Sequence, residues 1–129
     1  MGSRGAFVNI DIGNYDFIEG GQHYYSLGLL SSNPNVKVII QDSNNVKAPE
    51  YSHTAGRIYA IVKAGVLKHL AYYDENHKQA VCIDLTHPHK GIMPHRHVYL
   101  DHGRSTPGIP PFPSEIELIE KIKKEFHLK

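Results

Sequence analysis

The centre of the chain is a series of short β-branched and apolar segments separated by glycine-containing or polar turns. Ala64-Gly65 separates two such segments, and the polar residues 74–78 separate the second from the third. This spacing is typical of antiparallel hairpins. The candidate strands are residues 36–41, 57–63, 66–73, 79–85 and 95–101. We therefore predict an antiparallel meander of four to five strands.

The two flanks differ from this centre. Residues 1–35 show no clear period, and Tyr24 to Leu30 could form a short helix, so we expect an irregular or helical N-terminal segment. After four prolines in residues 107–113, Ser114 and Glu117 match a helix-capping box. Apolar residues then follow at helical spacing: Ile116, Leu118, Ile119, Ile122 and Phe126. The predicted fold class is α+β, with this helix packed on one face of the sheet. The domain would span residues 36–129, and residues 1–35 either join it or precede it.

Composition limits the classes of protein to which the chain can belong. Its 129 residues, 40% hydrophobic and 21% charged, suit one folded domain. A formal net charge of +1 argues against a strongly basic DNA-coating protein. Cys82 is the single cysteine, so an intrachain disulfide and a zinc-finger framework are both excluded. No apolar stretch is long enough to predict a membrane span, and we expect no membrane partner.

Histidines are concentrated late in the chain. Five of the ten lie in residues 87–102, including two His-x-His pairs. Imidazole titrates near neutral pH and, when neutral, is a common metal ligand. The cluster therefore indicates either general acid–base chemistry or a metal site, and the residues alone leave both open.

Strand alternation predicts which of these side chains meet. If residues 95–101 form a strand, His95, His97 and Tyr99 share one face and Val98 lies on the other. On the preceding strand Asp84 would point to the histidine face. His69 has apolar neighbours in both registers, and we place it on that same open face.

Several segments also resemble a family of phage-associated domains, found at the C-termini of head-morphogenesis (minor capsid) proteins or encoded beside them. The resemblance spans residues 36–127. It is carried by Ser52-His53-Thr54, Arg57-Ile58-Tyr59-Ala60, residues 68–74, Ile83-Asp84-Leu85, His87-Pro-His89 and residues 94–97. Such domains are similar in their predicted strands to barnase-like, EndoU-like, colicin-like and RelE-like ribonucleases.

The resemblance implies an N-terminal helical part packed on a four-stranded antiparallel sheet, and a toxin-like nuclease activity. It also implies phage head proteins or an immunity protein as partners, in the host cytoplasm or the virion. The long C-terminal helix and the extra histidines depart from the ribonuclease pattern.

The first functional hypothesis is metal-independent RNA cleavage. RNA supplies its own nucleophile, the 2′-hydroxyl, so a base, an acid and a cation near the phosphate suffice. His69 and His97 are the candidate acid–base pair, and Tyr99 a candidate for base stacking or a hydrogen bond. Arg57, Lys68 and Arg96 are the candidates for contact with the phosphate, and Arg57 is counted among the catalytic residues. His95 is a further candidate for substrate binding. Under strict alternation Arg96 faces away from His97. No cofactor is expected on this reading.

Two alternatives remain. His87, His89, His95 and His97, with Asp84, provide enough nitrogen and oxygen ligands for zinc or a similar metal. No established zinc-enzyme spacing such as His-Glu-x-x-His is present. The third hypothesis is a non-enzymatic virion or host-interaction module in which the histidines act as a pH-sensitive surface or fix a loop.

Overall fold

The computed structural model describes residues 15–19, 22–41, 46–86, 94–99 and 106–129, and all features below lie in these residues. They form seven strands and one helix. The elements are β1 (Tyr15–Glu19), β2 (Gln22–Leu30), β3 (Asn33–Ile40), β4 (Ile58–Lys63), β5 (Val66–Tyr73), β6 (Gln79–Asp84), β7 (His95–Val98) and α1 (Pro113–Phe126).

The seven strands form one sheet in which spatial order follows chain order. Five neighbouring pairs are antiparallel, and only β3 and β4 run parallel. Parallel neighbours require the chain to return along the sheet before the second strand begins. Residues 46–57, called the crossover segment below, are the described part of this return. The α+β class, the mostly antiparallel sheet and the C-terminal helix are confirmed.

Helix α1 packs on one face of the sheet through apolar side chains. Ile119 and Ile122 of α1 are buried there. The sheet residues buried in the same cluster are Leu30, Val36, Val38, Ala60, Val62, Leu67, Leu70 and Ile83. We call this side of the sheet the helix face. No helix within the described ranges is both long and apolar enough to cross a membrane.

The start of α1 differs from the predicted capping box. Pro113 opens the helix, and the Glu115 carboxylate accepts the Phe112 backbone N–H at 2.8 Å. The N-cap is therefore Phe112, two residues before Ser114. Pro113 suits the first helical position, because a backbone N–H there would have no intrahelical partner. Ile116, the first of the apolar residues at helical spacing, is 45% exposed.

The predicted helix between Tyr24 and Leu30 is wrong, because these residues belong to strand β2. The register of β2 against β3 shifts between Ser26 and Gly28. A one-residue bulge reverses the alternation of the faces, so Tyr24 and Leu30, six residues apart, lie in cores on opposite faces. Because apolar residues of β2 point to both faces of the sheet, their spacing along the sequence resembles that of a helix. The sheet consequently has more strands than the four to five predicted.

A second bulge, in β5, explains why both registers of this strand contain apolar residues. Ile61 pairs with His69, whereas Val62 pairs with Leu67, which leaves Lys68 as the extra residue. Leu67 therefore lies in the same helix-face core as Leu70, three residues later. His69 lies on the other side of the sheet, called the crossover face below.

Candidate active site

The crossover face is covered at its centre by the crossover segment, which polar side chains of the sheet hold in place. The Tyr24 hydroxyl donates to the Lys47 carbonyl at 3.0 Å, and the Tyr73 hydroxyl donates to the Pro49 carbonyl. Tyr59 packs edge to face on Tyr73, with ring centroids 5.1 Å apart. The face predicted to be open is thus closed over β2 to β5. Among the described residues, the crossover segment leaves the part of this face towards β7 uncovered.

Histidine and aspartate side chains line up across the last three strands. Residues opposite one another in β5, β6 and β7 form two rows, His69–Asp84–His95 and Ala71–Cys82–His97. Side chains opposite one another in an antiparallel sheet lie on the same face with Cβ atoms about 5 Å apart. His69, Asp84, His95 and His97 therefore share the crossover face, as strand alternation predicts.

A cavity of about 310 Å³ opens beside the first residues of the crossover segment, above these rows. Its polar lining residues are Lys47, His69, Gln79, Asp84, His97 and Tyr99. Ala48 and Cys82 complete the wall. The volume is at the lower end of the range for small-molecule sites. The cavity brings together residues from four separate parts of the chain.

Backbone carbonyls orient two of the imidazole rings. Nδ1 of His97 lies 2.8 Å from the Thr106 carbonyl, and Nε2 of His69 lies 3.1 Å from the Val46 carbonyl. A carbonyl only accepts, so in each case the ring nitrogen carries the hydrogen. When neutral, His97 therefore has Nε2 as its basic nitrogen, whereas His69 has Nδ1, a buried atom.

His95 supports the His97 ring from behind. His95 is 4% exposed, and the two rings meet edge to face with centroids 4.7 Å apart. Its position restricts the rotation of His97 about the side-chain torsions. The sequence predicts that His95 contacts substrate. In the structure His95 is instead buried beside His97, which lines the cavity.

Tyr99 and Cys82 are both protonated at neutral pH. Burial raises the pKa of the Cys82 thiol to about 12, and the nearby Asp84 carboxylate adds to the shift. Burial also raises the pKa of the Tyr99 hydroxyl, with smaller contributions from Cys82 and Asp84. A thiolate is the reactive form of cysteine, so Cys82 is unsuited to act as a nucleophile. Tyr99 provides a neutral hydroxyl, able to donate a hydrogen bond.

The three predicted phosphate contacts do not line the cavity. Arg57 donates to the Pro34 carbonyl at 3.2 Å and to the Thr54 hydroxyl at 3.1 Å, which holds the end of the crossover segment. Lys68 is the bulge residue of β5.

Arg96 lies on the helix face. Its Nε is 2.9 Å from a carboxylate oxygen of Glu115, and its guanidinium stacks 4.4 Å from the centroid of the Phe112 ring. Alternation along β7 separates it from His97, as the sequence indicates. Arg96 therefore joins β7 to the start of α1 instead of facing the cavity.

Lys47 and Gln79 were not identified from the sequence. Lys47 lies in the irregular crossover segment, where no period predicts the direction of a side chain. Gln79 begins β6 on the far side of a polar turn. Only the return of the chain between two parallel strands brings Lys47 to the cavity.

The proposed metal ligands are only partly described. His87 and His89 lie outside the described residues. Within the described ranges, no group of three or more His, Cys, Asp or Glu side chains is arranged to hold a metal ion.

Comparison with known proteins identifies no relative. No family model matches the chain, and neither a curated protein nor a solved structure is significantly similar to it.

Proposed function

We propose that the cavity cleaves RNA without a metal, as a toxin-like ribonuclease domain of the phage-associated kind that the sequence resembles. The observation that carries the proposal is the His97 ring. It lines the cavity, its Nδ1 hydrogen is held by the Thr106 carbonyl, and its basic nitrogen is therefore Nε2. This is the arrangement that a general base needs.

The proposed reaction is an internal transfer of the phosphoryl group. His97 Nε2 takes the proton of the ribose 2′-hydroxyl, and the 2′ oxygen attacks the adjacent phosphorus. The bond from phosphorus to the 5′ oxygen breaks, and this oxygen leaves with the Nε2 proton of His69, which must start as the cationic imidazolium and becomes neutral. The products are a 2′,3′-cyclic phosphate and a 5′-hydroxyl. Exchange of one proton with solvent at each histidine then restores the starting state.

His69 is assigned the acid because it is the second histidine that lines the cavity. Its Nε2 hydrogen is held by the Val46 carbonyl, so bound RNA must share or displace this hydrogen bond. Catalytic hydrogen bonds commonly tighten only when substrate is present. Tyr99, whose raised pKa keeps its hydroxyl protonated, donates a hydrogen bond to a phosphoryl oxygen.

The first experiment is cleavage of a labelled mixed-sequence RNA in EDTA by the full chain and its variants. His97→Ala is expected to reduce the rate by a factor on the order of 10²–10⁴, which is the usual contribution of an acid–base residue. His53→Ala is the matched control, since His53 is exposed and does not line the cavity. The same strand with 2′-deoxyribose throughout should remain intact, because it lacks the nucleophile.

A second substrate separates the two histidines. A nucleoside 3′-phosphodiester with a nitrophenolate leaving group needs no proton on the departing oxygen. His69→Ala should therefore cleave RNA slowly but cleave this ester at a rate close to that of the wild type. His97→Ala should be slow on both substrates, because both still require the 2′-hydroxyl to lose its proton. Equal losses on the two substrates in His69→Ala would remove His69 from the acid role.

Other outcomes favour the alternative functions. Cleavage only after addition of Zn²⁺ or Mn²⁺ would replace the proposal with a metal site built from His87, His89, His95 and His97. Absence of cleavage in EDTA and with metal would contradict the proposal and favour a non-enzymatic phage module.

A further inference from the structure

We infer that Lys47 binds the phosphate of a single-stranded RNA at this cavity, and that two buried polar side chains, Tyr24 of β2 and Gln41 directly after β3, position it. The inference rests on the proposed ribonuclease function, to which it adds the cation that the reaction needs. Lys47 is the one lysine or arginine among the described residues that line the cavity.

The backbone of Lys47 is held on both sides. Its N–H donates to the Gln41 side-chain oxygen at 3.0 Å, and its carbonyl accepts from the Tyr24 hydroxyl at 3.0 Å. One residue earlier, the Val46 carbonyl accepts from His69. Gln41 and Tyr24 are each only 1% exposed. Three side chains, Tyr24 and His69 of the sheet and Gln41 next to it, thus determine the position of two consecutive peptide units in an otherwise irregular segment.

This attachment has a directional consequence. A hydrogen bond to the N–H and another to the carbonyl of the same residue restrict both of its backbone torsions, and so the direction of its Cα–Cβ bond. Lys47 itself is exposed. An exposed lysine in an irregular segment ordinarily loses entropy when it contacts a ligand. At Lys47 the two hydrogen bonds already restrict the backbone, so the backbone part of this entropy loss occurs on folding and not on ligand binding.

The charges around the cavity favour a phosphodiester near Lys47. Among the described residues the Lys47 ammonium has no ion-pair partner. Asp84 is the one carboxylate of the described lining, and one of its oxygens accepts the Thr86 N–H at 3.1 Å. The remaining titratable groups of the described lining are His69, His97, Tyr99 and Cys82. A phosphate between Lys47 and His97 would have a cation on one side and the base on the other.

The test measures binding separately from cleavage. A 2′-O-methyl RNA oligonucleotide cannot supply a 2′ nucleophile, so its affinity for the full chain can be followed over a range of salt concentrations. Lys47→Gln should weaken binding several-fold and reduce the slope of log K against log salt by about 0.7, the value for one phosphate contact on a single strand. Lys47→Arg should retain the slope. Lys124→Gln, which removes the same charge from an exposed position on α1, is the control and should change neither.

Tyr24→Phe tests the positioning. It removes the hydrogen bond to the Lys47 carbonyl and keeps the ring that fills the core. Binding should weaken, and the effect should disappear when Tyr24→Phe is made in the Lys47→Gln protein, since coupled residues are not additive. A purely structural role of Tyr24 would instead give equal weakening in both backgrounds, and that result would overturn the positioning claim.

The inference and the proposed function can fail separately. If the wild type cleaves RNA but Lys47→Gln binds with unchanged affinity and salt slope, the Lys47 inference is wrong and the ribonuclease proposal stands. If the wild type binds with a slope that depends on Lys47 but does not cleave, the ribonuclease proposal is wrong and the phosphate site stands. If the wild type does not bind the oligonucleotide at all, the Lys47 inference is overturned.

Discussion

The two faces of the sheet are stabilised in different ways. The helix face buries aliphatic side chains, such as Val38, Leu70 and Ile122, against α1. The crossover face buries the three tyrosines Tyr24, Tyr59 and Tyr73 beside aliphatic residues such as Ile39 and Ile61, beneath irregular backbone. Apolar burial has little directional requirement, whereas each buried hydroxyl requires a partner at a defined position.

This difference explains where the candidate site lies. A helix satisfies its own backbone hydrogen bonds, so the helix face needs only apolar contact. The crossover segment is neither helix nor strand over most of its length, and side chains such as Tyr24, Tyr73 and Gln41 bond its peptide groups. Directional bonds of this kind hold backbone and side chains at defined positions, which a site requires.

The largest effect is expected from a truncation on the helix face. Ile122→Ala removes a fully buried side chain and should lower the free energy of unfolding by about 2–5 kcal/mol, since it leaves a cavity in a packed core. Denaturant unfolding of the full chain measures the change. The matched control is Ile116→Ala on the same helix, where the side chain is 45% exposed and the expected loss is below about 1 kcal/mol. Similar losses in the two variants would contradict the described packing of α1.

A smaller effect is expected from a single hydroxyl on the crossover face. Tyr73→Phe leaves the Pro49 carbonyl without the hydroxyl donor, at a cost of about 1–3 kcal/mol. The same unfolding assay measures this loss, and exchange of the amide hydrogens in the crossover segment should accelerate. Tyr72→Phe, on the neighbouring half-buried position of β5, is the control. Unchanged exchange in Tyr73→Phe would show that the hydroxyl does not hold the segment.

The third expected effect is a dependence on alkaline pH. The Cys82 thiol has a pKa of about 12 in the folded chain against an ordinary value of 9.0. Above pH 9.0 the unfolded chain therefore loses this proton while the folded chain keeps it, so stability falls as pH rises. The loss approaches about 1.4 kcal/mol per pH unit for one group.

Cys82→Ala isolates that contribution. Both proteins retain the other titrating groups, including Tyr72, whose pKa burial raises to about 12. The free energy of unfolding should therefore decline less steeply between pH 9 and pH 10.5 in Cys82→Ala than in the wild type. Parallel declines would show that the thiol ionises equally well in the folded and unfolded chains.

Much of the C-terminal half of the fold could be predicted from local pattern. The hairpin of β4 and β5 has its turn at Ala64-Gly65, as predicted, and Ile119 and Ile122 are on the buried side of a real helix. Alternation along β7 placed His97 on the face of Asp84. Alternation could be used here because β6 and β7 pair without a bulge.

The errors have physical causes that no local pattern contains. The bulge in β2 gave Tyr24 to Leu30 an apparent helical spacing, and the β3–β4 pair is parallel because residues far apart in the chain meet. Arg96 and Glu115 form their ion pair across nineteen positions. Each of these features depends on contacts between distant segments, whereas propensity and periodicity report only on neighbours.

The sequence alone determined the type of chemistry and the secondary structure near it: histidines on a strand, beside an aspartate, in an α+β domain with a C-terminal helix. Only the tertiary structure decided that the crossover segment covers one face, and that His97, His69 and Lys47 line one cavity. The physical reason is that side-chain direction within a regular strand follows from its two-residue period, whereas the path of an irregular segment follows from the distant hydrogen-bond partners that hold it.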